Sequence, residues 1–238
     1  MTTETRFAVV AGSGIDLLPL LDRVTHETPF AEIIGIPPAT VTGHEGRFVH
    51  GFCGDTPLIV QCGRVHMYEG LTYETVVRPV DMLREYGVSH ALFTNAAGGL
   101  RPEMRPGNVM AADRLWTVPC RLWPDRPEVL QPDWILPDCD FQGMYMWVHG
   151  PSYETKAEIA FLQQVEGGAV GMSTAPELKR CQDHGIRAAS VSVITNNCCT
   201  PVHLTHEHVL ETADHASAKL VALIRAKIAA TTQVSPKT

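Results

Sequence analysis

Seven short, mostly apolar runs recur along the chain: "RFAVVAGSG", "PLIVQCGR", "HALFTNAAGG", "GNVMAADRL", "MYMWVHGPS", "GAVGMS" and "AASVSVITN". Their apolar stretches are continuous rather than alternating, which predicts strands covered on both faces. Helical spacing appears between some of them, in Ile159 and Leu162 after "YETKAE" and in Val209, Ala213, Ala216, Leu220 and Leu223 near the end. Thr205 is the expected N-cap of that last helix, with Glu207 in its first turn. Strands alternating with helices predict an α/β fold with a mostly parallel, two-sidedly covered sheet. "TVPCRLWPDRPEVLQPDWILPDCD" reads as an irregular surface connection, and residues 230–238 as a disordered tail. There is no internal repeat or low-complexity linker.

In such folds the polar residues at the carboxyl ends of strands gather at one edge, where ligands bind. Ser13, Arg64, Asn95, Ser173 and Asn196 all fall at such ends. In "GRVHMYEG", Arg64, His66 and Tyr68 are two apart and share a face if the extended geometry of "PLIVQC" persists. A guanidinium and an imidazole together suit an anion, and the phenol suits hydroxyls. A solvated strand end with a surface ion pair is the plainer alternative, but the clustering of Arg, His, Tyr and Glu after a buried run favours a site.

Composition narrows the classes. The 238 residues, 45% hydrophobic and 19% charged, are enough for a substantial core and ordinary for a soluble globular protein. Neither a membrane-spanning apolar run nor a secretory leader pattern is present, so the expected compartment is the cytoplasm. The net charge of −7 argues against a nucleic-acid polymer as partner. Seven cysteines without CxxC spacing read as reduced thiols.

The remaining motifs are weaker one by one. Gly12-Ser13-Gly14 lets the backbone approach an anion, but a plain strand-to-helix turn explains it equally well. Position 17 is Leu where a dinucleotide loop needs Gly, and no P-loop signature occurs. Ala96, Ala97, Gly98 and Gly99 either open space beside exposed amides or allow close strand–helix packing. Glu154, after Tyr153, is explained as readily by compensation of a helix dipole. Met172, Ser173, Thr195 and Asn196 are each compatible with ordinary strand ends. His206 and His208, two apart on a helix, diverge by about 200° and do not chelate together. With no HExxH-like signature beside them or His203, no metal site is expected. Covalent catalysis is not signalled either, for want of a GxSxG elbow or a recognisable cysteine nucleophile.

"GSG", "GHEGR", "GRVHMYEG", "TNAAGGL", "GPSYET", "VGMSTAPE" and "ITN", in this order, resemble the trimeric purine nucleoside phosphorylases from about Phe7 to Leu220. The resemblance implies a single domain over residues 1–238: a central mixed, mostly parallel twisted sheet, distorted and barrel-like, flanked by helices. It implies phosphorolysis of purine nucleosides to free base and ribose 1-phosphate by a homotrimer that needs neither metal nor organic cofactor, inorganic phosphate being a co-substrate. By position it assigns Ser13, His44, Arg64, His66, the Ala96 amide and Ser173 to phosphate. Tyr68, Met172 and His206 fall to ribose, and Ala97, Gly98, Tyr153, Glu154, Thr195 and Asn196 to the base. Glu69 would orient His66, with His66, Glu154 and Asn196 the catalytic group. In adenine-selective relatives an Asp usually replaces this Asn, so Asn196 implies inosine and guanosine as substrates.

The chain departs from the family between "ADRLWTVP" and "HGPSYET", where a helix and the loop carrying a cross-subunit aromatic are missing. Trp123 is the candidate replacement. The loop between Asn196 and His206 is also short, and Lys156 has no assigned role. The competing readings are a methylthioadenosine-type phosphorylase or nucleoside hydrolase on the same scaffold, a non-catalytic nucleoside-binding protein, and, more remotely, an NAD-dependent enzyme. Phosphate dependence separates the hydrolase, and turnover separates the binder.

Overall fold

The structure is a computed structural model that describes residues 5–38, 46–118, 127–200 and 206–233, with only the backbone described at 206, 207, 232 and 233. Each of the seven apolar runs forms a strand. They are β1 (Phe7–Val10), β4 (Thr56–Cys62), β5 (His90–Gly99), β6 (Val109–Thr117), β8 (Phe141–Trp147), β9 (Gly167–Gly171) and β10 (Arg187–Asn197). Three further strands appear: β2 (Arg23–Pro29), β3 (Arg47–Cys53) and the two-residue β7 (Val129–Leu130). The helices are α1 (Tyr73–Glu85), α2 (Lys156–Gln164), α3 (Ala175–His184) and α4 (His206–Gln233).

All ten strands join one mixed sheet. The strands β5, β10, β6, β8 and β9 close into a ring, because β9 returns to pair with β5. From β5 the sheet also extends outward through β1, β4, β3 and β2. Parallel pairing holds β4–β1–β5–β10 together, while β2, β3 and β4 form an antiparallel meander. The sheet is thus barrel-like and mixed, as expected, with helices packed on both sides.

The helices show why they form where they do. Thr72 caps α1, its hydroxyl accepting from the Thr75 amide at 3.3 Å, and Val76, Val77, Val80 and Leu83 turn one face inward. Thr155 and Glu158 cap α2 reciprocally: the Glu158 carboxylate accepts from the Thr155 amide at 2.7 Å and the Thr155 hydroxyl from the Glu158 amide at 3.3 Å. Along α4, Ala213, Ala216, Leu220, Ile224 and Ile228 are buried against the core shared with β1, β4 and β10. Thr205, the expected cap of α4, lies outside the described residues. The helix continues through Gln233, into the stretch expected to be a disordered tail. No helix among the described residues is long and apolar enough to cross a membrane.

The Pro- and Trp-rich connection is less detached from the core than its composition suggests. Within it β7 pairs with β6 through Leu130 opposite Leu115, and Leu130 and Leu136 are buried. Residues 119–126, including Trp123, lie outside the described residues.

One feature of the topology creates the site. Residues His90 to Phe93 of β5 lie between β1 and β10, whereas Gly98 and Gly99 lie between β10 and β9. Between them, Thr94 to Ala97 keep β10 on one side and have lost β1 on the other. The Thr94 side chain covers the change: its hydroxyl donates to the Val10 carbonyl at 2.9 Å and accepts from the Gly12 amide at 3.0 Å. A sheet that forks in this way leaves a crevice at the carboxyl ends of its strands, the usual place for a ligand in α/β proteins.

Candidate active site

The crevice is a cavity lined from five strand ends and one helix. Gly12 and Ser13 follow β1 and enter it beside Asn95. A Cβ at Gly12 would stand 2.7 Å from the Asn95 Cα, so only glycine allows this approach. Arg64, His66 and Tyr68 follow β4, and Asn95, Ala96, Ala97 and Gly98 belong to β5 itself. Met172 and Ser173 follow β9, and Thr195 and Asn196 end β10. Tyr153 and Glu154 close one side from the turn before α2. These residues come from opposite ends of the chain, and the fold collects them into one cavity.

Two of the expected residues are not placed by the structure. His44 lies outside the described residues, and the His206 side chain is not described, although its backbone opens α4.

The extended geometry expected to persist through "GRVHMYEG" ends with β4 at Cys62: Gly63 takes a φ of 103°. Met67–Glu69 form a 3-10 turn that His66 caps. Arg64, His66 and Tyr68 nonetheless reach the same cavity, because the turn stacks the His66 and Tyr68 rings at 4.7 Å and 14°. Glu69 Oε1 accepts from the His66 backbone amide at 2.6 Å and lies 3.1 Å from its Nδ1. A carboxylate there fixes the ring's orientation. Burial pushes the Tyr68 phenol up to about 12, with Glu69 and Tyr153 adding to the shift, so it stays protonated at neutral pH.

Arg64 is 1% exposed and tied on one edge. Its Nε lies 3.1 Å from Glu177 Oε1, and its Nη1 donates to Ser173 Oγ at 3.0 Å and Thr174 Oγ1 at 3.3 Å. Glu177, itself 5% exposed, also accepts from the Thr174 amide at 2.7 Å and so caps α3. Thr174 takes a positive φ of 79° to make this turn, a conformation costly for a β-branched residue. Behind them the fully buried Tyr145 hydroxyl donates to the Ser173 carbonyl at 3.1 Å, and burial drives its pKa up.

The far side of the cavity is built differently. The β10–β5 register shifts between Ile194 and Asn196, and this bulge re-aims the strand end. Asn196 Oδ1 lies 3.1 Å from the Thr195 hydroxyl, and its Nδ2 donates to Cys198 Sγ at 3.5 Å. Burial, with Glu154 nearby, pushes the Cys198 thiol up to about 12, so it is a neutral wall. Burial also raises the Glu154 carboxyl above its usual value; Glu158 adds to the shift, and a hydrogen bond from its own backbone amide opposes it. Tyr153 is 50% exposed at the rim. Beyond Tyr153 and Glu154 lies a second cavity bordered by Val118, Val148 and Phe161.

Sequence reasoning missed Glu177, Thr174, Tyr145 and Cys198. A signal for the first existed: "STAPE" carries the T-x-x-E spacing of a capping box. Nothing in the sequence marks Tyr145 apart from other core aromatics. Among the described residues no three His, Cys, Asp or Glu side chains are grouped to hold a metal ion.

The cavity therefore has donors around Arg64 and, around Glu154 and Asn196, a set of both donors and acceptors. Residues 6–229 match the model of the phosphorylase superfamily, and the chain belongs to that superfamily. It is 30% identical to purine nucleoside phosphorylase 1 of Geobacillus stearothermophilus, over 94% of this chain and 90% of that one. It is 32% identical to purine nucleoside phosphorylase of Bos taurus, over 95% and 91%, and 34% identical to that of Mycobacterium tuberculosis, over 95% and 90%. Within the superfamily the chain is thus a purine nucleoside phosphorylase. The fold also matches a schistosome purine nucleoside phosphorylase in complex with hypoxanthine, with a TM-score of 0.80 at 24% identity, over 100% of this chain and 93% of that one.

Proposed function

We propose that the substrates are 6-oxopurine nucleosides, inosine and guanosine, cleaved by inorganic phosphate to the base and ribose 1-phosphate. The carrying observation is that Arg64 and Asn196, from separate strands, line one cavity with His66, Ser173 and Glu154. In this reading Ser13, Arg64, His66, the Ala96 amide and Ser173 hold phosphate, and Tyr68 and Met172 face the ribose. Ala97, Gly98, Tyr153, Glu154, Thr195 and Asn196 enclose the base. His44 and His206 complete the phosphate and ribose sites, and no further cofactor takes part. The same reading includes assembly as a homotrimer.

The chemistry is one of charge placement. As the glycosidic bond lengthens, the sugar gains oxocarbenium character and the purine gains negative charge. Phosphate held beneath C1′ stabilises the cation and then captures it. At the other end Asn196 donates to O6 and accepts from N7 once that nitrogen takes a proton from solvent, which eases departure of the base. Glu154, as a carboxylate, accepts from N1–H, which hypoxanthine and guanine have and adenine lacks.

The raised Glu154 pKa gives a pH prediction. The carboxylate must be ionised to accept from N1–H, so kcat/KM for inosine falls as pH drops through the raised value. This acid limb should lie above the ordinary glutamate range and be absent in Glu154→Gln, as a pH profile of both proteins will show.

The deciding assay incubates inosine with and without phosphate and quantifies hypoxanthine, ribose and ribose 1-phosphate. Phosphate-dependent hypoxanthine with equal ribose 1-phosphate is expected. Free ribose without phosphate, or a higher kcat/KM for adenosine or methylthioadenosine than for inosine, contradicts the reading.

A further inference from the structure

The Glu154–Asn196 end of the cavity also holds a thiol that takes no part in the charge chemistry. Cys198 lines the cavity together with both residues. Its amide donates to the Gly99 carbonyl at 2.9 Å, which keeps the chain against β5 beyond the end of β10. Its Sγ lies 3.5 Å from Asn196 Nδ2, and the Thr195 hydroxyl lies 3.1 Å from Asn196 Oδ1. Thiol and hydroxyl thus flank opposite ends of the carboxamide, whichever end is nitrogen. Glu154 is near enough for its charge to act on the thiol. Along this wall the order is Thr195, Asn196, Cys198, Glu154.

Gly98 shows how closely the sulfur is seated. A Cβ built there would stand 2.5 Å from Cys198 Sγ, but 3.4 Å from Val170 Cγ1 and 3.5 Å from Asn196 Nδ2. The last two are ordinary contacts, whereas the first is a collision. Gly98 has no positive φ, so its backbone does not demand a glycine; the sulfur does. Residues 98 and 198 therefore share one hollow, and the sulfur fills it.

We infer that Cys198 is a specificity-determining residue, its sulfur setting the depth of the pocket at position 6 of the purine. The inference rests on the proposed function, in which Glu154 takes N1–H and Asn196 takes O6 and N7. Position 6 then falls on the stretch of wall between those two residues, where Cys198 stands. A neutral, polarizable sulfur meets that edge by contact rather than by charge, so it selects by size.

Kinetics with inosine and 6-thioinosine test this. Both carry N1–H and N7, and they differ only in the atom at position 6, sulfur being larger than oxygen. Relative to wild type, the ratio of kcat/KM for 6-thioinosine to that for inosine should rise about tenfold in Cys198→Ala. It should rise less in Cys198→Ser and fall about tenfold in Cys198→Leu. Cys199 Sγ lies instead against Gln163 and the Leu100 carbonyl, and Cys199→Ala should leave the ratio unchanged. Thermal melts read the seating separately. Gly98→Ala should lower Tm by roughly 2–12 °C, and adding Cys198→Ala should recover most of that loss.

An unchanged or lower ratio in Cys198→Ala overturns the inference, and Cys198→Ser carries the same comparison should the alanine variant fail to fold. An equal shift in Cys199→Ala, or a Gly98→Ala protein as stable as wild type, overturns it too. Phosphate-dependent cleavage of inosine with an unchanged ratio sinks this inference alone. Absence of that cleavage sinks the proposed function and this inference with it.

Discussion

Asn196→Ala is expected to lower kcat/KM for phosphorolysis of inosine by about 10²–10³. The carboxamide is preorganised: the Thr195 hydroxyl at 3.1 Å and Cys198 Sγ at 3.5 Å already fix its plane before any ligand arrives. On the proposed function it would therefore meet the charge that develops on the leaving purine without reorganising. Because that charge is small in the bound nucleoside and large as the bond breaks, most of the loss should fall on kcat rather than KM. Steady-state kinetics with inosine measure the split. A loss below tenfold, or one confined to KM, would mean that Asn196 only helps to hold the base.

Glu177→Ala is expected to destabilise the protein by about 3–5 kcal/mol, the usual cost of leaving one member of a buried ion pair alone. The Arg64–Glu177 pair is 3.1 Å apart and almost fully buried, and the same carboxylate caps α3 through the Thr174 amide. For a chain of this size the loss corresponds to a fall in Tm of roughly 6–20 °C. Phosphate should recover part of it, since an anion that binds only the folded state stabilises by mass action. The double replacement Arg64→Met with Glu177→Leu removes both charges; it should regain much of the stability while activity stays lost. Thermal melts with and without phosphate test each variant. A Tm within about 2 °C of wild type for Glu177→Ala would show that the pair contributes little.

The strands around the site were legible because a parallel sheet buried on both faces writes itself as unbroken apolar runs. In β1, for example, "FAVV" is buried at all four positions. The β2 strand, "RVTHETP", is largely exposed and shows no buried periodicity to read. The β3 strand is interrupted by His50 and Gly51, and β7 spans only two residues. Strand-end chemistry was legible for the same reason as the strands: once the ends are known, Arg64, Ser173 and Asn196 fall at one edge, whereas Asn95, also expected at a strand end, lies within β5, which continues to Gly99. What could not be read is what depends on the fork of β5, where one strand changes neighbours. The Asn95–Thr174–Arg64 network joins three segments, and the contact between Asn95 and Thr174 spans 79 positions. The role of Tyr145 depends on the β8–β9 pairing that carries Ser173 over it. Such contacts have no local periodicity, so only the folded chain displays them.

The central claim is tested most directly by crystals grown with phosphate and hypoxanthine together. The account predicts phosphate within hydrogen-bonding distance of Arg64 and Ser173, and the purine edge on Asn196 and Glu154, with room between them for one ribose. Phosphate and base in separate cavities, or spaced too widely for a single nucleoside to bridge, would contradict it.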